Sequence, residues 1–159
     1  MGLNRNKMLL AIPAVIFGAD GVIKHFADKK MELNEPKEIF GGRLILQKRY
    51  NEGAAFGILA SKPKVVLWVQ SVFFSIAAIW YAAAFFKKGK TGLKISLGML
   101  LGGGMSNLYD HLRKQHVVDY VRIPFKNKYL SRVVFNISDV FIFIGVIFTA
   151  LFGDRKKKG

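Results

Sequence analysis

Cysteine is absent from the 159-residue chain, which excludes disulfides, cysteine-ligated zinc and a thiol nucleophile. Histidine is scarce, and His25, His111 and His116 form no H-x-x-x-H or comparable pair, so metal-dependent hydrolysis lacks a ligand cluster. No G-x-S-x-G elbow occurs; Gly104-Met105-Ser106 has no nearby base for serine catalysis. Gly102-Gly103-Gly104 lacks the Lys-Ser/Thr of a phosphate loop. Acidic residues are few, 10 against 25 Lys and Arg, for a formal net charge of +15. That balance suits nucleic acid only where aromatics are interleaved with basic residues on one face. Here the aromatics sit inside apolar runs, and nucleic acid is not an expected partner. No composition shift marks a second domain, so residues 1–159 are expected to form one unit.

What the chain has in excess is hydrophobicity: 52% of its residues are apolar, more than a soluble domain of this size can readily bury. The apolar residues fall into four blocks with lysines and arginines crowded at their ends, and a helix crossing about 30 Å of hydrocarbon needs roughly 20 residues. The blocks predict helices over about 7–27, 65–86, 93–112 and 135–152. The first opens as a secretory signal does, with Asn4-Arg5-Asn6-Lys7 before an apolar core, but bulky Phe17 two residues before Ala19 leaves no A-x-A cleavage site. The third carries Gly98 and Gly102 four apart, spacing that lets helix backbones approach closely in lipid.

Basic residues flank the first block (Arg5, Lys7), fill the turn between the second and third (Lys87, Lys88, Lys90, Lys94) and make up the tail 153–159 (Arg155 to Lys158). Short basic flanks mark the cytoplasmic side, which places both termini there. The two longer connections hold more basic residues in total but weigh less in this rule. The polar ends of blocks one, three and four then share the outer face. Residues 40–58 read as a small outer β region, with Gly42 to Tyr50 extended and Asn51 to Gly57 flexible, and the loop 113–133 contains the β-branched Val117-Val118-Asp119-Tyr120-Val121, which can join it.

Ionisable groups at membrane depth are costly, so each invites a functional reading. Asp139 is expected about four residues, roughly 6 Å, into the fourth helix, with Asn136 on the same face. Asp119 can reach the same level. Two carboxylates held close together cannot both ionise easily; one keeps a proton, and the pair can activate water while protonating a developing oxyanion or leaving amine.

Five motifs surround these residues: Asp20-x-x-x-Lys24, Asn51-x-Gly53-Ala54-Ala55-Phe56-Gly57, Gly102-Gly103-x-x-x-Asn107-x-x-Asp110, Val117-Val118-Asp119-Tyr120 and Phe135-Asn136-Ile137-Ser138-Asp139. In this order the chain resembles the bacterial lipoprotein signal peptidases, signal peptidase II, across essentially its whole length. The resemblance implies an all-α integral membrane protein of four transmembrane helices with a small extracytoplasmic β-cradle, lying in the bacterial cytoplasmic membrane with its active site near the outer leaflet. It implies an aspartyl endopeptidase that cuts a prolipoprotein before its diacylglyceryl-cysteine, with no metal or organic cofactor. Asp119 and Asp139 would be catalytic; Asn51, Gly53, Asn107, Asp110 and Asn136 would bind substrate; Asp20, Lys24, His111 and Arg113 would give structural support. Membrane lipids are the other expected partners, and the chain is expected to act as a monomer. Two positions depart from the family: His111 stands where Arg usually follows the aspartate, with Arg113 on the same helical face as its expected substitute, and Gly21 stands where Gln is common. These departures give footing to an alternative, a non-cleaving member that binds lipidated signal peptides or lipid as an accessory factor.

Overall fold

The computed structural model describes residues 2–54 and 57–153; Ala55 and Phe56 of the second motif and the basic tail from 154 onward lie outside the described residues. The described chain is mostly helical with one small antiparallel sheet. Its order is α1 (Gly2–Lys30), β1 (Lys37–Ile39), β2 (Leu44–Asn51), α2 (Pro63–Phe85), α3 (Thr91–Lys114), β3 (Val117–Arg122), β4 (Val134–Phe135) and α4 (Ile137–Gly153), with a 3-10 turn at Leu130–Arg132. Within α1, Lys7–Lys30 is long and apolar enough to cross a membrane, as is α2, while α4 is a shorter apolar helix.

Burial runs opposite to that of a soluble protein. Large apolar side chains such as Trp68, Phe73 and Ile79 on α2 and Phe143 on α4 face outward, whereas Asp20, Lys24, Asn107, Asp110, Asp119 and Asn136 are buried. Exposed apolar surface on this scale needs an apolar surround. The core lies where α3 packs against α1, α2 and α4.

Glycines set how closely those helices approach, and each of the three consecutive ones does something different. A Cβ built on Gly102 would lie 2.7 Å from Ile16 Cβ and 2.9 Å from the Pro13 carbonyl oxygen on α1. One on Gly103 would lie 2.6 Å from the Ser138 carbonyl oxygen on α4, while one on Gly104 would make ordinary contact, 3.7 Å, with Phe74. Backbone cannot yield as a side chain can, so Gly103→Ala is expected to lower stability by about 1–3 kcal/mol, whereas Gly104→Ala, free of any clash, is expected to leave stability unchanged or raise it by up to about 1 kcal/mol. Thermal unfolding of the two variants in detergent checks the contrast.

Pro13 sits inside α1 and has no N–H to give the carbonyl of Leu9, the residue four before it. The Tyr81 hydroxyl of α2 donates to that carbonyl at 2.7 Å. In an apolar surround this bond removes the cost of the break and ties α2 to α1.

The sheet has the order β1-β2-β3-β4, all neighbours antiparallel. It starts earlier than the sequence suggests, since Lys37–Ile39 precedes the expected 40–58 region; the β-branched segment at 117–121 joins it as β3, and β4 adds a short strand just before the fourth helix. Because Val134 pairs with Arg122 and Phe135 with Val121, α4 begins at Ile137 and not at 135. α3 ends where Gln115 adopts a left-handed conformation (φ 64°) and its N–H donates to the His111 carbonyl, which turns the chain into β3. Pairing of Asn51 with Val117 and of Arg49 with Asp119 brings β2 and β3 to the C-terminal end of α3 and the N-terminal end of α4.

Candidate active site

Asp119 and Asp139 arrive from different elements, the middle of β3 and the first turn of α4, and Asn136 holds both. Its Nδ2 donates to Asp119 Oδ1 at 2.7 Å. Its Oδ1 accepts the Asp139 backbone N–H at 2.9 Å, and its own N–H donates to Asp139 Oδ2 at 3.1 Å. The last two bonds form a reciprocal capping box: Asn136 occupies the cap position immediately before α4, and Asp139 is three residues on. Asn136 is therefore the start signal of the helix, and the same side chain reaches across to the strand.

Each carboxylate has a second amide partner. Asn51 Nδ2 donates to Asp119 Oδ2 at 3.2 Å, and Asn107 Nδ2 donates to Asp139 Oδ1 at 2.9 Å. Gly53 touches neither acid. Its N–H donates to Asn51 Oδ1 at 3.0 Å, and a Cβ there would meet the Gly57 and Ile58 backbone at 2.6 Å, so the tight turn that aims Asn51 requires glycine. Burial, and next the neighbouring Asp139 carboxylate, push the Asp119 carboxyl up to about 7, against the opposing pull of the Asn136 and Asn51 amides.

Beneath the acids lies a buried charge network. Lys24 Nζ contacts Asp20 Oδ2 at 2.8 Å, Asn107 Oδ1 at 2.8 Å and Ser106 Oγ at 3.1 Å, and it faces Asp110 Oδ2 at 3.2 Å. Because Asn107 Oδ1 accepts from this ammonium, its NH₂ must point toward Asp139. Asp110 pairs outward with Lys114 at 3.3 Å, the residue one full turn on. The expected substitute, Arg113, is exposed and forms no ion pair with Asp110; Lys114, four residues on, occupies that place. His111 makes no ion pair with Asp110 either. It is buried, with Nδ1 3.2 Å from the Asn107 carbonyl oxygen.

The structure thus gathers Asp20, Lys24, Asn51, Gly53, Asn107, Asp110, His111, Asp119, Asn136 and Asp139 and leaves out Arg113. Reading the sequence missed Lys114, and it missed Ser106, Tyr120 and Ser138, whose hydroxyls donate to Asp20 at 2.6, 3.0 and 2.6 Å. The signal for the three hydroxyls was present: each stands directly beside a site residue within the five motifs.

The family model for signal peptidase (SPase) II matches residues 12–153. The chain belongs to the signal peptidase II family. Among curated members it is 31% identical over 153 residues to the lipoprotein signal peptidase of Pseudomonas paraeruginosa, covering 94% of this chain and 89% of that protein. The lipoprotein signal peptidase of Clostridium novyi is 32% identical over 148 residues, covering 91% and 97%. A solved bacterial membrane enzyme superposes with a TM-score of 0.77 at 25% identity, covering 96% of this chain and 94% of that one. The match to the signal peptidase II family spans every site residue above, from Asp20 to Asp139. His111 does not leave Asp110 without a cation, since Lys24 and Lys114 both face it.

Proposed function

We propose that this chain is the aspartic endopeptidase that removes the signal peptide of lipid-modified prolipoproteins, cutting before the diacylglyceryl-cysteine with water activated between Asp119 and Asp139. The observation that carries this reading is that Asn136 hydrogen-bonds both carboxylates at once. One carboxyl carries a proton and the other does not. The ionised member takes a proton from water as its oxygen adds to the scissile carbonyl carbon, and the protonated member gives its proton to the carbonyl oxygen. Collapse of the resulting diol breaks the C–N bond as a carboxyl proton passes to the leaving nitrogen. In this reading Asn51, Gly53, Asn107, Asp110 and Asn136 line the substrate site, and Asp20 and Lys24 support it.

The chain acts as a single membrane domain in the bacterial cytoplasmic membrane, with all four helices spanning, both termini cytoplasmic and the site near the outer leaflet. Two apolar helices of spanning length and the outward-facing side chains of α4 support this topology. Its basic outer loops suit anionic lipid headgroups, and it works as a monomer. The accessory-factor alternative loses its footing at His111, because Lys24 and Lys114 already face Asp110.

The test is cleavage of a diacylglyceryl-modified precursor by the purified protein, with mass mapping of the products. The expected result is a fragment beginning at the lipid-bearing cysteine; an uncut precursor, or a cut elsewhere, overturns the reading. The same assay reads pH. With Asp119 raised to about 7, the dyad keeps its shared proton below that pH and loses it above, so kcat/KM is expected to fall about tenfold per unit on the alkaline side. The linked stability has the same sign. A folded carboxyl that holds its proton more tightly than the free side chain stabilises the fold below about 4, and that contribution is lost as pH rises through about 7.

A further inference from the structure

Asp20 is fully buried, and the proposed reaction does not use it. The hydroxyls that donate to it share one property. Ser106, Tyr120 and Ser138 come from α3, β3 and the first turn of α4, and each is the chain neighbour of a residue at the acid pair: Asn107, Asp119 and Asp139. We propose that Asp20 and the hydroxyls of Ser106, Tyr120 and Ser138 form a buried positioning frame that sets the separation and aim of Asn107, Asp119 and Asp139. The proposal rests on the dyad reading above.

Donor geometry leaves the frame little freedom. The Asp20 carboxylate only accepts, so all three hydroxyl protons point inward. Oδ2 takes Lys24, Ser106 and Ser138, while among the described residues Tyr120 is the hydrogen-bond donor to Oδ1. Burial, and then the adjacent Asp20, push the Tyr120 hydroxyl up from its ordinary value and keep it a donor. The same oxygen accepts the N–H of Ile137, the first residue of α4, at 3.0 Å. Tyr120 therefore joins α1, the strand carrying Asp119 and the helix carrying Asp139 through one atom.

The geometry converts this anchoring into aim. Successive residues on a helix point about 100° apart, so pinning Ser138 to α1 turns Asp139 toward β3, and pinning Ser106 likewise turns Asn107 toward Asp139. On β3, Tyr120 and Asp119 point to opposite faces, so the hydroxyl fixes how far the strand stands from α1. Phe or Ala would fill nearly the same volumes but would make none of these bonds, and would leave the Asp20 carboxylate, and in the case of Tyr120 the Ile137 N–H, without that partner.

The experiment compares kcat, KM and the alkaline limb of the pH profile for Tyr120→Phe, the double variant Ser106→Ala/Ser138→Ala, and Asp119→Asn on the same lipidated precursor. The charged groups that shift Asp119 most are Asp139 from α4 and Lys24 from α1, and β2 presents the neutral Asn51 and, paired with Asp119 in register, Arg49; the first two variants change none of these. Tyr120→Phe is expected to lower kcat by about ten- to a hundredfold with KM within about twofold, as a misplacement near 1 Å does. Its alkaline limb is expected to move by about half a unit or more, because the influence of Asp139 on Asp119 depends on their distance. A folded Tyr120→Phe with unchanged kcat and pH limb overturns the frame, as does one that only unfolds at lower temperature. Should Tyr120→Phe not fold, the double variant decides by the same two readouts: a displaced limb with reduced kcat supports the frame, and unchanged values overturn it. Undiminished turnover by Asp119→Asn instead removes the dyad reading, an outcome distinct from failure of the frame alone.

Discussion

Replacing either Asp119 or Asp139 with asparagine is expected to reduce kcat by roughly 10³-fold or more, with little change in KM and no further loss when both are replaced. Non-additivity follows because the two acids carry out a single proton transfer between them. Once either member cannot hold or release a proton, the other has no partner in that step. The two variants differ in what else they disturb. In Asp119→Asn, the new NH₂ must face either Asn136 Nδ2 or Asn51 Nδ2, both donors, so one contact is lost. In Asp139→Asn it must face either the Asn107 amide or the Asn136 N–H, so the capping box or the Asn107 bond opens. Each change removes one hydrogen bond, worth about 1 kcal/mol at the protonated member and about 1.5–3 kcal/mol at the ionised one, and also removes the repulsion that arises when both acids ionise. Both variants should therefore fold, which makes the kinetic loss interpretable. Single-turnover assays beside thermal unfolding in detergent provide the check, and full turnover by either variant would sink the dyad.

Most of the site is legible in the sequence, because its residues sit in short motifs whose spacing can be read along one strand or one helix turn. The glycines of α3 are an example: Gly98 and Gly102 announce a close helix contact, and α1 supplies it through Ile12, Pro13 and Ile16. Less legible is anything fixed by pairing between distant segments. Hydropathy starts the fourth helix at 135, but Val134–Phe135 is drawn into the sheet by β3, and the helix begins after the Asn136 cap. The partner of Asp110 turns on the difference between three and four residues along α3, which the backbone decides in favour of Lys114 over Arg113. The register shift between Leu46 and Arg49 is also invisible in the sequence. An extra residue there reorients the strand. Lys48 is buried and donates to the Asp28 carbonyl at 2.8 Å, and two residues on from it Tyr50 donates to the Asp28 carboxylate at 2.7 Å. Those contacts fasten β2 to the end of α1 just before Asn51, so a surface strand that reads as merely basic helps to seat a site residue.

Lys24→Met is the substitution expected to cost the most stability. The ammonium is buried between two buried carboxylates, with side-chain exposures of 2% for Lys24, 0% for Asp20 and 6% for Asp110. Methionine fills a similar volume but, among the described residues, leaves Asp20 with hydroxyl donors alone and Asp110 with only its outward lysine. Removing one partner of a buried pair costs about 3–5 kcal/mol, because the remaining charge is uncompensated. Lys114→Met gives the comparison on the same aspartate. Lys114 is 33% exposed, its pair with Asp110 is screened by solvent, and its loss should cost about 1 kcal/mol or less. Unfolding of both variants in one detergent therefore isolates burial as the variable. Adding Asp20→Asn should recover part of the loss in Lys24→Met, since the charge left unpaired is then removed, and the coupling between the two positions should exceed about 1 kcal/mol. Activity should fall as well, because Asn107 loses the ammonium that turns its NH₂ toward Asp139. Equal destabilisation by the two lysine variants, or no recovery on adding Asp20→Asn, contradicts a buried ion pair as the support beneath the acids.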